Sequence, residues 1–198
     1  MNKWLLIWLA SGWLFSGSSF AEDPEQLIRD TANNVLNEIK ANTAKFAEEP
    51  QKLYDLVDKV VLPHFDFSTM TNLALGRYKN EVNDDQRPLI ENEFRVLLVK
   101  TYGKALLEYN DEKIAFLASE GSVASGEVTV RTEIQQAGGF PIPMNYRLKK
   151  GANGWKVYDI SVDDISLVTN YRSSFARQIK KNGVDGLIET LKARNEGQ

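Results

Sequence analysis

Apolar residues recur at helical spacing through the first half of the chain and at every second position in much of the second. Leu27, Ile28, Val35, Leu36 and Ile39 share one helical face, and Asp23-Pro24 offers an N-cap with proline in the first turn. An amphipathic helix is therefore predicted from Pro24 to about Phe46. Glu49-Pro50 ends it and opens a second helix, whose stripe of Leu53, Leu56, Val57, Val60 and Val61 stops at Pro63. A short helix is expected from Phe67 to Leu75, with Gly76 suited to its C′ position. Asp84 or Asp85 is the expected cap of a long helix that tolerates Pro88 in its first turn. Its stripe is Leu89, Ile90, Phe94, Leu97, Leu98, Tyr102, Ala105, Leu106 and Tyr109.

The period then drops to two. Ile114 to Ala118 reads as a strand. Val128, Val130 and Ile134 alternate with Glu127, Thr129, Arg131 and Glu133, and Ile142, Met144, Tyr146 and Leu148 with Asn145, Arg147 and Lys149. Gly151 to Gly154 turns the chain into Trp155 to Val162, both faces of which are partly apolar. Short turns between consecutive strands favour an antiparallel meander of about four strands. An amphipathic helix capped by Asp163 or Asp164 follows from Ile165 to near Gly183, and a second short helix begins at Asp185-Gly186-Leu187-Ile188. The Asn195 to Gln198 end is expected to fray. Helices before and after one sheet, instead of alternating with strands, give an α+β fold.

Lys3, the mostly apolar run Trp4 to Leu14, and Ser19-Phe20-Ala21 have the form of a cleaved secretory signal over residues 1–21, leaving a single domain over 22–198. The apolar run is too short for a bilayer span and Ser11-Gly12 interrupts it, so no permanent membrane anchor is expected. The chain has no cysteine, which removes disulfides and thiolate chemistry. The formal net charge is −3, with no basic tract, a poor match to nucleic acid. A single histidine, His64, and no cysteine leave the usual zinc sets unavailable, and no metal or cofactor site is expected. Gly121-Ser122 and Gly138-Gly139 read as turn glycines, not a phosphate loop, and no Gly-x-Ser-x-Gly elbow occurs. Asp159, Asp163 and Asp164 cluster near a strand end, where capping is the simpler role.

What remains is a surplus of large apolar side chains. Phe67, Met70, Leu73, Leu97, Tyr102, Val130, Met144, Tyr146, Tyr171 and Phe175 fall at positions predicted to face inward. Periodicity alone reads them as a close-packed core.

Two blocks carry a resemblance. One is Gly154-Trp155-Lys156-Val157-Tyr158-Asp159-Ile160 running into Ser166-Leu167-Val168-Thr169-Asn170-Tyr171-Arg172-Ser173-Ser174-Phe175; the other is Leu62-Pro63-His64-Phe65-Asp66-Phe67 with Met70 and Leu73 to Tyr78. They resemble MlaC, the periplasmic phospholipid-binding family of Gram-negative bacteria, also called toluene-tolerance auxiliary proteins. Tyr102-Gly103 is similar to the family's long-helix motif, where a small residue lets another element approach, and Arg147 to a sheet arginine. Asp164-Ile165 and Lys79 depart from the pattern.

The resemblance implies a curved sheet roofed by helices, with an apolar pocket between them for acyl chains and the head group near the mouth. The inward-facing set becomes the candidate acyl pocket, and Arg77, Arg147 and Arg172 become loose contacts at its mouth. The sequence offers no Arg/Lys cluster for a tight phosphate cage. The resemblance also implies a periplasmic carrier that binds no nucleotide. Its partners would be an outer-membrane lipoprotein complex and an inner-membrane MCE-domain ring on an ABC transporter, and its task the upkeep of outer-membrane lipid asymmetry. Two readings compete. A nuclear-transport-factor-like (or cystatin-like) cone could house an enzyme, which would need Asp66 or Asp159 facing inward with a raised pKa. A periplasmic chaperone would expose a broad groove instead.

Overall fold

The computed structural model describes residues 23–108, 112–136 and 138–197. The expected signal segment, 1–21, and Tyr109 lie outside them. The first helix, α1 (Pro24–Glu48), begins where the Asp23 carboxylate accepts the Glu25 N–H at 3.1 Å. After it come α2 (Pro50–Val60) and α3 (Phe67–Leu75), the latter with the predicted bounds. The long helix α4 (Gln86–Gly103) is capped by Asn83 and not by Asp84 or Asp85. Asn83 Oδ1 accepts both the Asp85 and the Gln86 N–H. An amide cap serves as well as a carboxylate, so the choice among three adjacent candidates rests on the turn geometry.

The sheet holds β1 (Lys113–Phe116), β2 (Glu120–Ser122), β3 (Glu127–Gln135), β4 (Ile142–Gly151), β5 (Gly154–Val162) and β6 (Ile165–Ser166), all antiparallel. β1, β3, β4 and β5, adjacent in that order, are the four strands of the expected meander, to which β2 and β6 are added. β1 and β2 share the other edge of β3 as one interrupted strand, since between Phe116↔Thr132 and Glu120↔Thr129 that edge gains one residue. Gly121-Ser122, read as a turn, thus lies in a strand.

A second correction concerns the entry to α5 (Leu167–Glu196). Asp163 and Asp164 both adopt positive φ and form the two-residue turn between β5 and β6, a conformation that Asp tolerates better than most residues. The cap is Ser166, whose hydroxyl accepts the Thr169 N–H. α5 breaks at Gly183, as expected, and of the end expected to fray, Asn195 and Glu196 are helical, while Gln198 lies outside the described residues. Asn195 is buried and donates to the Glu93 carbonyl and carboxylate.

Three apolar clusters result. α3, α4 and α5 pack on one another around Met70, Phe94, Leu97, Tyr171 and Phe175. Leu27 and Ile28 of α1 cover Val128, Val130, Leu148, Trp155 and Val157 of the sheet. Further along α1, Val35, Ile39 and Phe46 pack with Leu53 of α2. At Gly103 a Cβ would lie 3.1 Å from the Tyr54 ring, so the absence of a side chain lets α2 and α4 approach closely, as expected there. No helix among the described residues is long and apolar enough to cross a membrane.

Candidate functional site

Alternation and register write out one face of the sheet. Ile114, Ile134 and Ile142 form the row nearest the β3–β4 turn. Phe116, Thr132, Met144, Val162 and Ile165 form the next, then Val130, Tyr146 and Ile160, then Val128, Leu148 and Val157. β5 stays in phase only because of a bulge. Arg147 pairs with Asp159 but Leu148 with Val157, so Tyr158 is the extra residue. This puts Val157 and Ile160 on the same face, and explains why the strand reads as apolar on both sides.

α1 closes only part of this face. Val128, Val130, Leu148 and Val157 are buried under it. Ile114, Ile134, Ile142, Met144 and Val162 are half-buried and, among the described residues, join none of the three clusters. Ile165 continues their row into solvent, 63% exposed, and Phe140 at the nearby turn is 93% exposed. Where covered and uncovered rows meet, the Arg29 guanidinium lies 3.8 Å from the centre of the Phe116 ring while pairing with Glu25 at 2.6 Å. Tyr146 donates to the Met144 sulfur at 2.9 Å, and burial pushes its phenol up to about 12, so it stays neutral at any physiological pH. Beneath α1 the Trp155 indole N–H is buried and has no acceptor among the described residues.

The predicted pocket set divides. Val130, Met144 and Tyr146 lie on this face. Phe67, Met70, Leu73, Leu97, Tyr171 and Phe175 belong to the helical cluster, where Phe94 meets Tyr171 and Phe175 edge to face at 5.0 and 5.1 Å. Tyr102, expected to face inward, is 40% exposed. It stands in the last turn of α4, where its side chain still reaches Tyr171 at the edge of the cluster. The face also contains residues that the inward-facing set omitted: Ile114, Phe116, Ile134, Ile142, Ile160, Val162 and Ile165. Their signal was the same alternation, extended across strands by register.

The arginines also part company. Arg147 is on the opposite, polar face, with its guanidinium 4.8 Å from the centre of the Tyr158 ring and 3.8 Å from the buried Asp159 carboxylate. Arg77 and Arg172 line a separate surface hollow of ≈ 430 Å³ among the helices, together with Lys79. The fold thus builds a basic cluster where the linear sequence shows none.

Neither carboxylate required by an enzymatic reading faces the apolar rows. Asp66 caps α3, accepting the Thr69 N–H at 2.8 Å, and pairs with Lys149 at 2.9 Å. Partial burial would raise its pKa, but hydrogen bonds from Lys149 and Thr69 outweigh that and hold it below the usual carboxylate value. Asp159 accepts the Ser166 hydroxyl at 2.7 Å and the Val168 N–H at 3.2 Å, fixing the start of α5.

A family model described as MlaC protein matches residues 29–193. The intermembrane phospholipid transport system binding protein MlaC of Haemophilus influenzae is 26% identical, over 96% of this chain and 92% of its own length. The toluene tolerance protein ttg2D of Pseudomonas putida is likewise 26% identical, over 93% of this chain and 85% of its own. Among solved structures, a phospholipid-binding protein from Ralstonia solanacearum in complex with a phospholipid superimposes with a TM-score of 0.82. It is 32% identical, and the match covers 89% of this chain and 98% of that one. With the matched region spanning most of the sequence, the chain belongs to the MlaC family.

Proposed function

We propose that the protein is a periplasmic carrier whose half-buried apolar sheet residues Ile114, Ile134, Ile142, Met144 and Val162, bordered by Phe116 and Tyr146 where α1 begins to cover the face, hold phospholipid acyl chains. The observation that carries this reading is a half-buried apolar surface that the chain's own helices leave open, in a fold whose relative of known structure holds a phospholipid. Each methylene moved from water to such a surface is worth about 0.8 kcal/mol, so two long chains give roughly 20 kcal/mol gross. That is near the ceiling of non-covalent affinity. Ordering costs reduce it, yet spontaneous release into water stays slow. A carrier of this kind needs protein donors and acceptors. The reading assigns these to an outer-membrane lipoprotein complex and an inner-membrane MCE-domain ring on an ABC transporter, in the service of outer-membrane lipid asymmetry. No enzymatic step is part of the proposal, since Asp66 and Asp159 are engaged in holding helices.

Native mass spectrometry of gently purified protein tests it. The expected result is a mass increment matching a two-chain phospholipid, released by organic extraction. Ligand-free protein from cells that express it in the periplasm would overturn the reading.

A further inference from the structure

The hollow among the helices forms where α3 ends, the chain turns through Gly76–Asn80, and α5 packs alongside. Gly76 has φ +55°, and a Cβ there would lie 3.2 Å from the Arg172 side chain, so the glycine admits both the turn and the arginine. Arg172 Nε donates to the Leu73 carbonyl at 2.7 Å, which anchors the side chain and leaves its two terminal nitrogens for another acceptor. Arg77 stacks 4.9 Å from the centre of the Tyr78 ring and donates to its hydroxyl at 2.9 Å. The Lys79 carbonyl is held by Arg87 at 3.0 Å.

The two arginines are therefore positioned but not neutralised, and Lys79 is exposed beside them. Arg29, Arg95, Arg131 and Arg147 each have a carboxylate within 4.0 Å, whereas among the described residues Arg77, Lys79 and Arg172 have none. In a chain of net charge −3 this is a local reversal of sign. The C-terminal carbonyls of α3 offset part of it. The remaining lining includes Leu73 and Ala176, an apolar floor beneath a cationic rim.

We propose that this hollow docks a protein partner through an acidic, apolar segment. One carboxylate pairs with Arg77 and Arg172, a neighbouring apolar side chain rests on Leu73 and Ala176, and Lys79 adds steering charge at the rim. A bilayer surface fits less well. Membrane-binding basic patches use about 4–8 Lys and Arg on a surface that a flat membrane can reach, and here the cations border a depression. The hollow is lined by helical residues alone, so the proposal stands independently of what the sheet face holds.

The test uses the mature protein, labelled with 15N, and a capped pentapeptide alternating leucine and glutamate, beside its leucine–glutamine counterpart. The expected result is a set of amide shifts confined to residues 72–79 and 172–176 with the glutamate peptide. Binding should weaken about tenfold in R77E, the loss of about one ion pair's worth of affinity. R77E keeps the Arg172–Leu73 bond, so its melting temperature should match that of the parent. The K79E variant should show a smaller loss that vanishes at high salt. Any of four results would overturn the proposal: no shift at millimolar peptide, equal binding of the glutamine peptide, the same shifts at similar affinity from inorganic phosphate, or R77E-sensitive flotation with phosphatidylglycerol vesicles. Lipid load, read separately by mass, should be unchanged in R77E.

Discussion

The helical cluster and the sheet face are written with the same side chains and finished differently. Around Phe94, which has no solvent exposure, the rings of Tyr171 and Phe175 close edge to face and Ile90, Met70 and Leu97 fill the remaining space. On the sheet, Met144, Val162 and Ile142 belong to an equally regular apolar face, yet stay half-buried because α1 covers only the lower rows. An apolar stripe states which side of an element avoids water. It does not state whether the chain itself supplies the cover. That difference separates a core from a binding surface, and substitutions should separate them too.

The largest effect belongs to the closed region. Phe94→Ala should cost about 3–5 kcal/mol, because a cavity opens where three aromatic rings meet. For a chain of this size that is on the order of 10 °C in melting temperature. Scanning calorimetry of the lipid-stripped protein would measure it. Lipid carried per folded molecule should not change. If Phe94→Ala left stability intact and emptied the protein of lipid, the helical cluster would be the pocket and the comparison would be reversed.

Legibility followed the same line. The bounds of α3 and the alternation of β3 and β4 come straight from period, cap and breaker, because each of these is a local matter. Tertiary choices were hidden. The Asp163-Asp164 pair has the composition of a helix cap, but β6 must pair with β5, and two aspartates at positive φ make that tight turn. Tyr158 is invisible as a bulge until strand register is known. The candidate site is half legible: alternation puts Val130, Met144 and Tyr146 on the sheet face proposed to hold the ligand. Phe67, Met70 and Phe175 look identical to them by period, and only packing assigns these to the helices. The family resemblance grouped Arg77 and Arg172 with Arg147 at one mouth, but no local pattern shows that the first two meet with Lys79 in a separate hollow, because the packing of α3 on α5 brings them together.

An intermediate effect ties the two regions together. Asp66 holds the start of α3 and reaches Lys149 on the polar side of the sheet. Asp66→Ala removes a cap and an ion pair and should cost about 1–2 kcal/mol near neutral pH. Its folded pKa lies below the ordinary 3.8, so the carboxylate stabilises the fold fully above that value. The contribution fades as pH falls through the folded pKa. The gap in melting temperature between parent and variant should therefore be constant from pH 7 to about 5 and shrink toward pH 3. A gap that widened in acid would contradict the assignment.

The smallest stability change should be the most telling. Met144→Trp places a larger ring on an uncovered row. In a closed core such overpacking typically costs about 1–3 kcal/mol. Phe175→Trp, in the helical cluster, should show that penalty. At Met144 the space is open, so the stripped variant should melt within about 1 kcal/mol of the parent, the added apolar area offsetting the lost sulfur contact with Tyr146. The bound phospholipid per mole of protein should fall by half or more, because the indole occupies volume the acyl chains would use. Glu133→Gln, on the polar face of β3 and paired in register with Pro143, serves as the control and should alter neither quantity. The decisive comparison sets melting temperature against lipid load for all three variants. A Met144→Trp protein that melts early while carrying a full load would place this side chain in an ordinary core, and the site would have to be sought under α2 and the second half of α1, where Leu56, Val60 and Leu106 are only partly buried.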